Sequence, residues 1–166
     1  MASSQPDRRG NAWELGIQGD YDAALAVLQE LIGENPTDIV SLRMKGNLLE
    51  LKELERLENS AKKLTSSADY LAARQCYERI LEIDPGNVRT RIDLGDHYQN
   101  LGAIDRALEY YKDAATCLQD TANRSTFKED VQELLERASR LSSNTRHESE
   151  VKRLVAQCQQ MLDSGA

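Results

Sequence analysis

The chain has 166 residues, of which 40% are apolar and 30% are charged, and its formal net charge is −7. This negative charge and an aromatic content of only 5% argue against nucleic-acid binding, which relies on positive surfaces and aromatic stacking. No apolar run approaches the roughly 18 residues of a membrane span, and the N-terminal segment lacks the apolar core of a signal peptide.

The first two predicted helices are separated by a turn over residues 19–22. The first helix should cover about residues 7–18. Asp20 is the expected N-cap of the second helix, because its carboxylate can accept a hydrogen bond from an exposed amide of the first turn. Pro36 should end that helix, since proline cannot continue it. Residues 5–38 therefore form the first copy of a 34-residue repeat.

The second copy, residues 39–87, is 15 residues longer than the 34-residue period. Gly46 stands where two helices should approach closely, but the expected turn after it is missing, and leucines continue at helical spacing. Fifteen residues amount to about four helical turns, or roughly 22 Å. The pattern favours one continuous helix over about residues 38–66. The alternative is a break at Asn59-Ser60, where helix propensity falls.

The third copy, residues 88–121, follows the repeat pattern most closely. Gly95 and Ala107 are the small residues expected at the crossing of its two helices, because only small side chains allow a close approach there. Larger apolar residues should fill the space around that crossing: Leu94, Tyr98, Leu108, Tyr111 and Ala114.

Two further helices are predicted in the C-terminal segment, residues 122–166. Each is preceded by a capping-box pattern, Thr126 with Glu129 and Thr145 with Glu148, in which side chains and end amides satisfy each other. These helices should cover the end of the repeat array, since an open end would expose apolar surface. The expected total is eight helices and no strands.

With its Leu-Gly pair at 94–95 and its small residue at Ala107, the chain resembles the tetratricopeptide repeat (TPR) family over residues 5–121. The resemblance implies an all-α fold, a right-handed α–α superhelix, here with one extended helix and a C-terminal capping pair. Its domains would be the repeats, 1–121, and the cap, 122–166. Family membership implies a non-catalytic adaptor or scaffold that binds a partner peptide or helix in a concave groove.

Candidate groove residues lie on the inner faces of the first helices. Some members of the family hold a partner's terminal carboxylate with a basic residue and an asparagine four residues apart, and Arg43 and Asn47 have that spacing. Asp93, however, stands where the clamp requires a cation and would repel a carboxylate. A solvated helix face is the other interpretation of these residues. The full predicted set is Arg43, Asn47, Arg89, Asp93, Asp96, Gln99 and Asn100.

A stripe of leucines on the extended helix is a second candidate interface, formed by Leu51, Leu54, Leu57 and Leu64. We expect these side chains to be covered, because leaving each in water would forgo about 1.5–3 kcal/mol. The cover would be the chain's own C-terminal helices or another molecule. In the second case, the chain would be a self-associating scaffold, for example a homodimer with a coiled-coil seam.

No signature of catalysis is present: there is no glycine-rich phosphate loop, no His-Glu-x-x-His and no Gly-x-Ser-x-Gly. The two histidines, His97 and His147, fall in different predicted helices, and the three cysteines are far apart, so no metal or cofactor is expected. Reduced thiols favour a cytoplasmic protein. We therefore expect a partner that is another protein, not nucleic acid and not a membrane.

Overall fold

The computed structural model describes residues 4–57, 67–120, 126–141 and 147–164. Within these ranges the chain forms eight α-helices and no strand, which confirms the all-α fold predicted from the sequence. Consecutive helices pair as hairpins, α1 with α2, α3 with α4, α5 with α6 and α7 with α8. The helices are α1 Gln5–Ile17, α2 Tyr21–Glu34, α3 Ile39–Leu57, α4 Ala68–Ile83, α5 Val88–Asn100, α6 Ile104–Gln119, α7 Phe127–Arg140 and α8 Glu148–Ser164.

The chain divides into two compact units, Met1–Pro85 and Gly86–Ala166. In the first unit, α3 packs on α2 and α1 as well as on α4. In the second, α7 packs on α5 and α6, and α8 packs on α6. Each unit thus consists of two hairpins with a shared interior, because a single hairpin cannot bury its apolar face without a neighbour. The interior of the first unit includes Ala12, Ala24, Leu28, Leu31 and Leu48.

Helix starts agree with the sequence in one case and differ in another. Asp20 caps α2 as predicted, with its Oδ1 accepting from the Ala23 amide at 3.2 Å. The capping box predicted at Thr126 is wrong: its hydroxyl donates instead to Asp130 Oδ2 at 2.8 Å. With φ −94° and ψ 3°, Thr126 lacks the extended backbone that directs a capping side chain at the first amides. Thr145, of the second predicted box, lies outside the described residues.

The extended helix is present in part, because α3 has 19 residues where α1 and α5 have 13 each. Residues 58–66, including the alternative break at Asn59-Ser60, lie outside the described residues. Polar contacts hold the extension: Lys52 Nζ lies 2.9 Å from Asp22 Oδ1 and 3.5 Å from Asp69 Oδ2. The extension is therefore tied to the starts of both α2 and α4.

The chain itself covers the leucine stripe only in part. Leu51 is 44% exposed and Leu54 is half-buried, so of the two covers considered, packing within the chain leaves Leu51 open. The Leu57 side chain and Leu64 lie outside what the structure describes.

The tightest contact between paired helices is that of a glycine with a tyrosine ring. A Cβ added to Gly46 would lie 2.6 Å from Tyr77 Cε1, and one added to Gly95 would lie 2.2 Å from Tyr111 Cε1. Gly95 and Tyr111 are 16 residues apart in the sequence. Gly46 and Tyr77 are 31 residues apart, which is the same spacing plus the 15-residue insertion. Both glycines thus lie at helix crossings, as predicted, and Ala107 is fully buried.

Substitution of Gly46 by alanine tests this crossing. Alanine favours a helix over glycine by about 1 kcal/mol, yet its methyl group would collide with the buried Tyr77 ring. We expect Gly46→Ala to lower the free energy of unfolding by about 1–3 kcal/mol. Gly10→Ala is the matched control, because nothing lies within 4 Å of its added Cβ, and it should raise stability by about 0.5–1 kcal/mol. Urea unfolding followed by circular dichroism measures both; equal stabilisation by the two changes would contradict the crossing.

Candidate protein-binding surface

The predicted groove residues lie on the first helix of a hairpin in each unit. Arg43 and Asn47 are on α3 of the first unit. Helical spacing places them on one face together with Val40 and Leu51. The other five predicted residues are on α5 of the second unit: Arg89, Asp93, Asp96, Gln99 and Asn100. We call these faces of α1, α3 and α5 the inner faces, and each is described within its own unit.

In the first unit, Tyr77 of α4 reaches the inner face of α3. The Tyr77 ring is 1% exposed and lies against Gly46. Its hydroxyl donates to Asn47 Oδ1 at 2.8 Å. Because Asn47 directly follows the glycine, the absence of a side chain at Gly46 is what lets the hydroxyl reach it. A residue predicted from the groove pattern is therefore held by a side chain of the opposite helix.

The same arrangement recurs in the second unit with a carboxylate in place of the amide. The Tyr111 hydroxyl lies 2.5 Å from Asp96 Oδ1, to which it donates, and 3.0 Å from Gln99 Oε1. Burial raises the pKa of the Asp96 carboxyl, and the Tyr111 hydrogen bond and the positive charge of Arg137 oppose that rise. Burial and the neighbouring Asp96 charge raise the pKa of Tyr111 in turn. The structure thus brings Asp96 and Gln99 together around one hydroxyl.

Helix α7 supplies partners to two of the predicted residues on α5. Arg89 Nε donates to Asp130 Oδ1 at 2.8 Å. Arg137 Nε lies 2.8 Å from Asp96 Oδ2, but its N–H is not aimed at that oxygen, so the contact is an ion pair without a hydrogen bond. Both pairs join residues 41 positions apart in the chain, and no local sequence pattern indicated them. Arg89 and Asp96 are therefore engaged by the chain itself, whereas Asn100 at the end of α5 is exposed.

The inner face of the first unit carries large apolar side chains in the open. Trp13 is 41% exposed, Ile17 70%, Val40 52% and Leu51 44%. They account for four of the five large apolar side chains left exposed in the described ranges; the fifth, Leu71, is on α4. The sequence analysis missed Trp13 and Ile17. The repeat could have indicated their position on this face, because they stand one 34-residue period before Asn47 and Leu51.

A partly buried ion pair joins α1 to the start of α3. Arg9 Nη1 donates to both carboxylate oxygens of Asp38, at 3.1 and 3.2 Å. Asp38 is 8% exposed and also accepts from the amides of Val40 and Ser41 at the start of α3. The carboxylate therefore serves both as the cap of α3 and as the ion-pair partner of α1. This contact places the inner faces of the two helices next to each other.

Neither a metal site nor a membrane span is found in the described part of the chain. It contains no group of three His, Cys, Asp or Glu side chains that could hold a metal ion. His147 Nε2 lies 3.2 Å from Asp105 Oδ1, on different elements from His97. None of the helices within the described ranges is long and apolar enough to cross a membrane.

The Asp96 site leads to a prediction about pH. A folded-state pKa above the unfolded value means that the contribution of Asp96 to stability is fully present below the unfolded pKa and is lost as pH rises through the folded pKa. The hydrogen bond from the Tyr111 hydroxyl opposes the rise, so Tyr111→Phe should raise the Asp96 pKa further. The contribution of Asp96 to stability should then persist to higher pH. Carboxyl ¹³C NMR titration measures the Asp96 pKa in both proteins. Tyr77→Phe, which removes a bond to an amide, should leave the Asp96 titration unchanged; an unaltered pKa in Tyr111→Phe would contradict the assignment.

Comparison with known proteins agrees with this architecture. The chain is 35% identical over 71 residues to the protein O-mannosyl-transferase TMTC3 of Homo sapiens, a match that spans 43% of this chain and 6% of that protein. The chain thus corresponds to a small fraction of the relative's length, and the activity in its name belongs to that protein. A solved structure described as "MamA RS-1 ArsTM double mutant" aligns with 96% of this chain and 76% of its own at a TM-score of 0.60 and 16% identity, which shows a shared fold.

Residues 64–131, from just before α4 into α7, match the family described as tetratricopeptide repeat. Among the described residues, eight paired helices extend the same hairpin arrangement to both sides of that segment. The glycine–tyrosine crossings recur at the repeat period in both units. The match therefore places tetratricopeptide repeat sequence at residues 64–131, within an all-α fold of paired helices.

Proposed function

We propose that this chain is an adaptor that binds an apolar segment of a partner protein on the inner face of α1 and α3. A tetratricopeptide repeat protein is a protein-interaction or scaffold module, and the observation that carries the finer assignment is the set of four exposed apolar side chains. Trp13 and Ile17 lie on one helix, and Val40 and Leu51 on its neighbour. Isolated exposed apolar residues are ordinary, but a group on adjacent helix faces indicates a binding surface.

The energetics favour occupation of this face by a partner. Complete burial of a large apolar side chain contributes about 1.5–3 kcal/mol, and these four side chains still have 41–70% of their surface in water. Covering all four would release several kcal/mol, enough to contribute substantially to binding after the costs of association are met. An aromatic side chain such as Trp13 is the usual centre of such an interface.

The inner face of the second unit is less available to a partner. Arg89 and Asp96 are already paired with Asp130 and Arg137 of α7. A partner would have to displace those ion pairs in order to use them. We therefore assign the contact area to α1 and α3 of the first unit.

Self-association is the competing use of the same surface, because the exposed Leu51 lies on the extended helix proposed as an oligomerisation face. In that case a second copy of the chain would cover the apolar residues. Sedimentation equilibrium of the purified chain distinguishes the two. A monomeric mass supports the adaptor, and a dimer that Leu51→Glu dissociates supports the scaffold.

Two charge substitutions on the inner face test the proposal. Ile17→Glu and Leu51→Glu should each reduce the recovery of co-purifying proteins at least about tenfold, because a carboxylate would have to be buried against the partner. Stability should change by no more than about 0.5 kcal/mol, since both positions are exposed. Leu71→Glu is the matched control: Leu71 is 48% exposed but lies on α4, away from the inner face. Affinity capture with quantitative mass spectrometry measures recovery, and equal recovery by all three variants would rule out this face.

A further inference from the structure

We propose that Tyr77 is a positioning residue for binding: its hydroxyl fixes the Asn47 amide so that the side-chain N–H groups meet a main-chain carbonyl of an extended partner segment. The inference rests on the proposed function and specifies the kind of partner. It starts from the hydrogen bond in which Tyr77 donates to Asn47 Oδ1 at 2.8 Å.

The hydrogen bond determines which half of the amide is offered to a ligand. An asparagine side chain has one acceptor oxygen and two N–H donors. Tyr77 takes the oxygen, so Nδ2 is directed away from the hydroxyl. Among the described residues none accepts a hydrogen bond from Asn47 Nδ2, and this nitrogen is not among the buried polar atoms that lack a partner. Asn47 itself is half-buried, so this nitrogen is in part accessible to a ligand on the inner face.

The orientation is fixed because the tyrosine has no room to move. Its ring is 1% exposed and packs directly against Gly46. A hydroxyl on a buried ring holds its acceptor in one rotamer, which removes an entropic cost that a mobile asparagine would meet on binding. Tyr77 thus acts on a ligand through Asn47 and without touching it.

The equivalent position in the second unit lacks this capacity. Asp96 accepts from Tyr111 through Oδ1 and pairs with Arg137 through Oδ2, and a carboxylate has no donor to offer. Two sites built on the same glycine–tyrosine crossing therefore differ in what they present. This difference makes Tyr111 an internal control for Tyr77.

The open donors favour an extended segment over a helix. Covering Asn47 with apolar groups alone would leave its N–H groups unsatisfied, which is costly in a dry interface. A helical ligand already uses its main-chain carbonyls internally. An extended segment presents a carbonyl at every residue, while its alternating side chains can reach the apolar groups at Val40 and Leu51 on either side of Asn47 along α3.

The test uses the full chain and a phage-displayed library of random short peptides. An enriched peptide is synthesised in two forms, one with both ends blocked and one with a free terminal carboxyl group. Calorimetric titration then gives Kd for the wild type, Tyr77→Phe, Tyr111→Phe and Asn47→Asp. We expect Tyr77→Phe to weaken binding of the blocked peptide about 3- to 10-fold, as the loss of one oriented hydrogen bond implies, and Tyr111→Phe to leave it unchanged.

Asn47→Asp keeps the acceptor for Tyr77 but replaces the donors with a carboxylate, so it should weaken binding at least about tenfold. This variant retains the tyrosine contact and tests the inference even if Tyr77→Phe does not fold. In labelled wild-type chain, the Asn47 side-chain amide signals should shift on peptide addition, a response that a purely structural role would not produce.

Three results would overturn the inference. The first is an equal loss in Tyr77→Phe and Tyr111→Phe, and the second is full binding by Asn47→Asp. The third is binding that requires the free carboxyl form, which would identify a terminal carboxylate as the acceptor. If peptide binding is lost in Ile17→Glu and Leu51→Glu in any of these cases, the proposed binding face stands and only the role of Tyr77 fails. If no peptide is enriched on the wild type, the inference of an extended segment is wrong, and the affinity capture with Ile17→Glu and Leu51→Glu decides the proposed binding face by itself.

Discussion

The contact between a glycine on one helix and a buried tyrosine ring on its partner is the constraint on which the two central hairpins depend. A Cβ at Gly46 or Gly95 would fall within 2.6 Å of the ring, so the absence of a side chain sets how closely the helices approach. The same contact places each tyrosine hydroxyl beside the next residue of the first helix. Packing and the chemistry of the inner face thus arise from one arrangement, because the ring that fills the crossing also carries the polar group.

The equivalent positions of Asn47 and Asp96 differ chemically for two reasons. One carries an amide and the other a carboxylate, and only Asp96 is contacted by α7. Asn47 Nδ2 donates to no described residue while its oxygen is bound by Tyr77, whereas both oxygens of Asp96 have a partner. The Arg137 charge offsets part of the cost of burying that carboxylate, and the ion pair fastens α7 to α5. In the second unit Arg89 and Asp96 are therefore engaged by α7, whereas in the first unit Asn47 lies among the exposed apolar side chains of Val40 and Leu51.

Charge placement also governs the extended helix. Lys52 lies between Asp22 and Asp69 at the starts of two other helices, where negative side chains are favoured by the helix dipole. Surface ion pairs of this kind contribute little each, but together they orient the helix without covering its apolar side. Leu51, the neighbour of Lys52 on α3, is 44% exposed and belongs to the proposed binding surface.

The sequence by itself determined the elements and their pairing. Apolar periodicity, the caps and turns, and small residues at Gly46, Gly95 and Ala107 act over one or two helical turns or one repeat, so they can be recognised along the chain. Only the tertiary structure decided that Arg89 and Asp96 are bound by α7, because those pairs join residues 41 positions apart and depend on how α7 packs on α5. The exposure of Trp13 and Ile17 was likewise undetermined by residue type, since an apolar side chain at a helical position is buried or open according to what packs against its face.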